Sequence, residues 1–173
     1  TDDWKANWTA KASTKNEALK NAEANRTAFE KELLDRTWQN GGKVRDYQSK
    51  GIAWIYLKAL PSLSYVSSSA LLADEMGLGK TLQALVLLAL YQEQNSRGLP
   101  TIIIAPTGLL KNWLKEVNIH LGENGLGAIL EVYGGGLKKI KTRGSTGKDT
   151  EKGVPLLDIE KIRNAKVVFT TYE

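Results

Sequence analysis

The stretch LLADEMGLGKTL, residues 71–82, constrains the fold of this chain more than any other part of its sequence. A short apolar run, Ala70 to Ala73, predicts a buried strand, and the largely apolar segment 80–94 predicts a helix. A strand that enters a glycine-containing loop and then a helix gathers backbone N–H groups and the positive end of a helix dipole around one point. The sequence therefore predicts an anion-binding loop of the kind that holds phosphate groups.

The residues of this loop suit a nucleoside triphosphate. Gly77 and Gly79 allow the backbone to approach phosphate oxygens without a Cβ clash. Lys80 would reach the β- and γ-phosphates as a mobile point charge, and the Thr81 hydroxyl would ligate a bridging Mg²⁺. A nucleoside triphosphate and Mg²⁺ are therefore the expected cofactors. The general pattern G-x-x-x-x-G-K-[ST] has a glycine where Asp74 stands, and the alternative is a glycine-rich turn with an exposed lysine.

Helix and strand patterns alternate along the rest of the chain. Strands are predicted at 101–105, 128–133 and 166–171, and helices at 45–60, 108–120 and near 156–163. This alternation predicts an α/β fold with a parallel sheet flanked by helices. An amphipathic helix is predicted at 14–38, beginning at a Thr14–Glu17 capping box. The Gly- and Lys-rich segment 134–153 is predicted to be a surface loop, with phosphate tracking as the alternative role for its basic residues.

Composition narrows the classes of partner. The net charge of +5 favours a polyanionic partner, of which nucleic acid is the commonest. The absence of cysteine excludes disulfides and cysteine-ligated zinc in this chain, and the single histidine, His120, argues against a protein metal site. No apolar run is as long as a membrane span, so no membrane partner is expected. We expect an intracellular location, in the cytoplasm or nucleoid of a bacterium or the nucleus of a eukaryote.

The octet DEMGLGKT, Asp74 to Thr81, resembles the phosphate loop of the Swi/Snf-type DNA-dependent ATPases, a branch of the superfamily-two helicases. That family also has an aspartate at the first glycine position. Three further stretches are similar to family motifs in the same order: VRDYQSKGIAWI from Val44, IIIAPTGLLKNWLKE from Ile102 and VVFTTYE from Val167. The resemblance runs from about Val44 to Glu173, and the first 40 residues and the segment 134–153 lie outside it.

The resemblance implies a partial RecA-like P-loop domain. Residues 43–173 would be the N-terminal part of the first RecA-like lobe, and residues 1–42 a helical extension. The family's motifs imply that the triphosphate is ATP, that Gln48 reads the adenine edge and that Arg45 lies beside the nucleotide. The loop residues implied to contact the nucleotide are Asp74, Glu75, Met76, Gly77, Leu78, Gly79, Lys80 and Thr81. Thr107, Thr170 and Thr171 are implied DNA-backbone contacts, with a role as ordinary strand-end residues as the alternative; Trp113 is expected in the core.

The resemblance also implies a DNA-stimulated, helicase-like ATPase that translocates on duplex DNA. Such an enzyme needs the rest of the first lobe, a second RecA-like lobe with its arginine fingers, and an acidic DExH motif, which we expect beyond Glu173. The chain as given is therefore expected to bind nucleotide without hydrolysing it efficiently. The alternatives are a non-catalytic nucleotide- or DNA-binding module that retains the loop, and a P-loop ATPase or kinase with no nucleic-acid partner. Gln48 and the APT and TTYE blocks argue against the second of these.

Overall fold

The structure of this chain is a computed structural model. It describes residues 20, 23–39, 42–59, 69–94, 99–145 and 156–172. These residues form two compact units, the first comprising Thr1–Thr37 and Gly41–Gln83 and the second Trp38–Asn40 and Ala84–Glu173. The boundary predicted between residues 42 and 43 stays a prediction. Among the described residues, no helix is long and apolar enough to cross a membrane.

The first unit is built from helices. Residues 23–35 are helical (α1), and Asp46–Ala59 form α2. The Phe29 ring of α1 lies 4.8 Å from the Tyr56 ring of α2, measured between centroids. The amphipathic helix is thus confirmed over 23–35, while its predicted start at Thr14 lies outside the described residues. Helix α3, Lys80–Gln94, begins in this unit and continues into the second.

The second unit contains a three-stranded parallel sheet. Its strands are β1 (Thr101–Ile104), β2 (Ile129–Val132) and β3 (Val167–Thr170), in the order β1-β3-β2. Strand β3 lies in the centre, and its first three residues are buried. A central parallel strand is covered on both faces, which explains the unbroken apolar run VVF. The predicted strands 101–105, 128–133 and 166–171 are confirmed to within a residue at each end.

Helix α4, Thr107–His120, supplies much of the core of the second unit. Its fully buried residues, Leu110 and Val117, are seven positions apart and therefore lie on one face. They pack in a cluster that includes Phe169 of β3, and Trp113 lies partly buried against the same cluster. Trp113 is therefore a core residue, as predicted. The chain also forms α6, Ile159–Asn164, with Asp158 as its N-cap.

The strand predicted at Ala70–Ala73 is wrong. These residues have no regular secondary structure, and the side chain of Leu71 is 82% exposed. A strand needs a neighbour that accepts and donates ladder hydrogen bonds. All three strands of the described residues lie in the second unit, so the first unit offers this segment no strand to pair with.

The surface loop predicted at 134–153 is only partly a loop. Gly134–Gly136 form a 3₁₀ turn and Leu137–Ile140 form a short helix, α5. The Ile140 side chain is 1% exposed, which anchors this segment to the unit. Lys141 pairs with Leu157 in an antiparallel bridge, so the two ends of the segment are held together. Residues 146–155 lie outside the described part of the chain.

We expect Leu110→Ala to lower the free energy of unfolding by about 2–5 kcal/mol, because the substitution leaves a cavity in the core. The neighbouring residue Leu109 is 50% exposed, and Leu110 is fully buried. Leu109→Ala is therefore the matched control, with an expected loss below about 1 kcal/mol. Urea unfolding followed by tryptophan fluorescence measures both values. Equal losses for the two variants would contradict this description of the core.

Candidate functional site

The loop between Asp74 and Thr81 depends on two glycines in the left-handed region of backbone conformation. Gly77 has φ of +90° and Gly79 has φ of +76°, values at which any other residue is strained. At Gly79 a Cβ would also lie 2.6 Å from Gln48 Nε2, so a side chain there would displace the Gln48 amide. At Gly77 the surroundings are open, so only the backbone conformation requires glycine there. The backbone conformation therefore favours glycine at both positions, and the place of the Gln48 amide favours it again at Gly79.

Helix α3 begins at Lys80, directly after this loop, and is 15 residues long. The Gln83 N–H donates to the Gly79 carbonyl over 3.0 Å, which closes the first helical turn. The amide groups at the start of a helix have no intrahelical acceptors, and the helix dipole places positive charge at the same point. The predicted anion-binding loop thus leads directly into a helix N-terminus, an arrangement that suits a phosphate group.

Lys80 folds back over the entrance of the loop. Its ammonium donates to the backbone carbonyls of Asp74, over 2.6 Å, and of Glu75, over 2.9 Å. Both acceptors are neutral, whereas an anionic oxygen would add the Coulomb attraction between opposite charges to the hydrogen bond. An anion at the loop would therefore draw the ammonium from these carbonyls. Thr81 follows Lys80 in the first turn of α3 and is half-buried.

Gln48 joins the start of α2 to the loop. Its side chain is 5% exposed; Oε1 accepts from the Arg45 N–H over 2.9 Å, and Nε2 donates to the Leu78 carbonyl over 3.2 Å. Since α2 begins at Asp46, the bond to Arg45 is the returning half of a capping box. A side-chain amide has two donors and an acceptor with two lone pairs, so each end of Gln48 keeps capacity for one further bond. The Arg45 side chain is exposed at the same helix end.

The acidic and apolar residues of the loop have different environments. Asp74 is half-buried, and its Oδ2 accepts from Gln83 Nε2 over 2.8 Å. Glu75 and Met76 are exposed, Met76 at 97%, and Leu78 is also exposed. The aspartate at the first glycine position is thus part of the loop's own hydrogen bonding.

Sequence reasoning missed Gln83. It is the one polar residue in the apolar run LQALVLLAL of α3, residues 82–90, and this exception was the available signal. The structure buries it to 1% exposure.

The candidate DNA contacts lie in the second unit, at one end of its sheet. Thr107 is exposed at the start of α4, and Thr170 and Thr171 close β3. The Ala105 N–H donates to the Thr170 carbonyl over 3.1 Å, so the two strand ends are adjacent. The Thr170 hydroxyl donates to the Val132 carbonyl over 3.0 Å, which occupies its single proton. A phosphate oxygen can only accept, so Thr107 and Thr171 are better placed to bind one than the Thr170 side chain.

A cavity in the second unit lies beside the basic residues of the segment after β2. Lys111, Lys139, Glu131 and Tyr133 are among its lining residues. The Tyr133 hydroxyl donates to Glu131 Oε2 over 2.6 Å. Burial, followed by this bond and the carboxylate charge, raises the pKa of Tyr133 to about 12. The tyrosine therefore stays neutral at neutral pH.

The chain was compared with known families and proteins. The model of the SNF2-related domain matches residues 47–173. The Zorya protein ZorD of Escherichia coli O139:H28 is 33% identical, over 76% of this chain and 12% of ZorD. The transcription regulatory protein SNF2 of Saccharomyces cerevisiae is 46% identical, over 44% of this chain and 4% of that protein.

Among solved structures, the Sulfolobus solfataricus SWI2/SNF2 ATPase core in complex with dsDNA is similar, with a TM-score of 0.55 and 25% identity. The match covers 80% of this chain and 23% of that one. The chain thus spans only a small part of each protein it matches. Its parallel sheet flanked by helices is the RecA-like fold of such ATPase cores. The family model covers most of the chain, and the chain accordingly belongs to the SNF2-related domain family of helicase-like ATPases.

Proposed function

We propose that this chain is the ATP-binding part of a Swi/Snf-type ATPase that is stimulated by DNA and translocates on duplex DNA. One observation carries the proposal: the loop with Gly77 and Gly79 in left-handed conformations leads directly into Lys80, the first residue of a 15-residue helix. This arrangement brings amide donors, a helix dipole and an ammonium to one point. Membership of the SNF2-related domain family supports ATP as the anion that binds there.

The residues of the loop fit a nucleoside triphosphate with Mg²⁺. In the described part of the chain the Lys80 ammonium bonds to the carbonyls of Asp74 and Glu75, and it could exchange these neutral acceptors for phosphate oxygens. The Thr81 hydroxyl, in the same helical turn, is the proposed protein ligand of Mg²⁺. Mg²⁺ held there would supply positive charge that neutralises the phosphates. The loop residues 74–79 would surround the phosphates with backbone groups.

The adenine is proposed to lie beside the start of α2. Gln48 would read its edge with the donor and acceptor capacity that remains at each end of the amide. Because Gln48 also bonds to the Leu78 carbonyl, the same side chain would touch both the base and the phosphate loop. Arg45, exposed at the same helix end, is proposed to lie beside the nucleotide.

We further propose that the chain alone binds nucleotide without turning it over efficiently. The described residues contain no group of three or more His, Cys, Asp or Glu side chains that could hold a metal ion. Asp74 is engaged by Gln83, and Glu75 is exposed on the loop. Hydrolysis by this class requires a carboxylate that holds Mg²⁺ and positions water. The rest of the first lobe and the second RecA-like lobe are the proposed sources of the missing groups.

Duplex DNA is the proposed partner of the second unit. The similar Sulfolobus ATPase core was solved with dsDNA, and here the end of β3 at Thr170 is bonded to Ala105, two residues before Thr107. On α4, Thr107, Lys111 and Lys115 recur every four residues and are all exposed, which forms one polar stripe. Pro106 gives this helix no side-chain cap, so its first amides are available for a phosphate oxygen.

We expect Lys80→Ala to weaken binding of Mg·ADP to the chain by about tenfold or more, because a charge-assisted bond to phosphate is worth about 1.5–3 kcal/mol. Isothermal titration calorimetry measures the dissociation constant. Lys50→Ala is the matched control, since Lys50 is an exposed lysine on α2 that pairs with Asp46 over 2.7 Å. An unchanged dissociation constant in Lys80→Ala would refute the assignment of the loop.

Lys111→Ala is expected to weaken duplex DNA binding uniformly across sequences and to reduce the slope of log K against log salt by about one. The physical reason is the loss of one phosphate neutralisation on the stripe of α4. Fluorescence anisotropy with a labelled duplex at several salt concentrations gives both quantities. Lys31→Ala, an exposed lysine on α1, is the control and should leave the slope unchanged. Identical slopes for the two variants would argue against this DNA-binding surface.

A further inference from the structure

Gln83 is a buried amide one turn along α3 from Lys80. It is 1% exposed and therefore as buried as its apolar neighbours in the helix, Leu85 and Val86. Burial of an amide is unfavourable unless hydrogen bonds compensate for the lost water. A leucine of similar volume would fill the same space without that loss. The bonds that Gln83 makes must therefore account for its presence.

The bond of Gln83 ends on the phosphate loop. Its Nε2 donates to Asp74 Oδ2 over 2.8 Å, and the Asp74 carbonyl accepts from the Lys80 ammonium over 2.6 Å. Lys80 and Gln83 are three residues apart on α3, so they lie on one face of the helix. Asp74 is thus held through both its side chain and its backbone by two residues of the helix that follows the loop.

Gly51 of α2 leaves the space that Gln83 occupies. A Cβ at position 51 would lie 2.4 Å from Gln83 Oε1, so any side chain there would displace the end of the Gln83 amide from its present place. The Oε1 atom is buried and has no hydrogen-bond partner among the described residues. The carbonyl end of the amide therefore faces α2, and the donor end faces Asp74. This orientation satisfies the aspartate at the expense of an unpaired carbonyl oxygen.

We infer that Gln83 is a positioning residue for the phosphate loop, acting through Asp74 in the space that Gly51 leaves. The inference rests on the proposed function and deepens it. The bond fixes the entrance of the loop before the nucleotide arrives, which lowers the ordering cost of binding the β-phosphate. It also explains why a carboxylate stands where the general phosphate-loop pattern has glycine: the glutamine needs an acceptor at this position.

The test compares ADP with AMP, because only ADP carries the β-phosphate that the loop would hold. Gln83→Leu removes the donor, and we expect its affinity for Mg·ADP to fall by about tenfold. Its affinity for AMP should stay the same. The dissociation constant for AMP divided by that for Mg·ADP should therefore fall by the same factor. A purely structural role would not change that ratio. Calorimetry gives the ratio, and urea unfolding shows whether the variant folds.

Two variants of Asp74 keep the test decisive if Gln83→Leu fails to fold. Asp74→Ala removes the acceptor and should lower the ADP-to-AMP preference as Gln83→Leu does. Asp74→Asn keeps an acceptor oxygen for Gln83 and should retain the preference of the parent chain. An Asp74→Ala variant with the parent's preference would overturn the inference.

Gly51→Ala, in helix α2, is a third variant that tests the inference. The added Cβ should displace the Gln83 amide and lower both stability and ADP preference. Adding Gln83→Ala removes the clash, so the double variant should regain stability without regaining the preference, a non-additive result. Additive effects on stability would overturn the proposed contact.

Failure of this inference can be told apart from failure of the proposed function. If the parent chain binds Mg·ADP and Lys80→Ala loses it, a Gln83→Leu variant with the parent's ADP-to-AMP ratio overturns the role of Gln83 alone. If the parent chain does not distinguish ADP from AMP, the phosphate assignment and the inference are overturned together.

Discussion

The convergence of positive charge at the start of α3 is the constraint on which the site depends. A phosphate loop must hold an ammonium and several amide donors close together even when no anion is present. This chain turns the Lys80 ammonium onto the Asp74 and Glu75 carbonyls and fixes the loop from two sides. Gln48 bonds to its far end at Leu78, and Gln83 bonds to its entrance at Asp74. The loop is therefore shaped by neutral amides, which add no charge that would compete with a phosphate.

In the second unit, the burial of apolar side chains fixes the sheet, and the sheet determines where the polar groups lie. The fully buried Val167 and Phe169 secure β3 between its two neighbours. Parallel strands end at the same edge, so the Ala105 N–H donates to the Thr170 carbonyl although 65 positions separate the two residues in sequence, from 105 to 170. Thr170 lies at the same edge, but its hydroxyl is committed to the Val132 carbonyl. The edge thus offers fewer groups to a DNA backbone than the sequence motifs suggest.

The sequence predicted what periodicity and local chemistry determine. The helices α2, α3 and α4 and the strand β3 each have a pattern of apolar residues that matches their burial. In β1, an edge strand, Ile102 and Ile104 are exposed although the apolar run predicted the strand correctly. A glycine-containing loop was predicted at Gly77 and Gly79, and the structure adds that both glycines have positive φ. The strand at Ala70–Ala73 was predicted wrongly because a strand requires a partner, and a pattern within four residues carries no information about one. The roles of Gln83 and Gly51 were missed because their contact joins two helices across 32 positions of sequence, from 51 to 83.

The central claim, that this phosphate loop serves an ATPase driven by DNA, is tested most directly by hydrolysis in a longer protein. The chain extended through a second RecA-like lobe should hydrolyse ATP faster when saturating duplex DNA is present. Lys80→Ala in the same protein should abolish the hydrolysis with and without DNA. Hydrolysis that depends on Lys80 but proceeds at the same rate with and without duplex DNA, at low salt, would contradict the account.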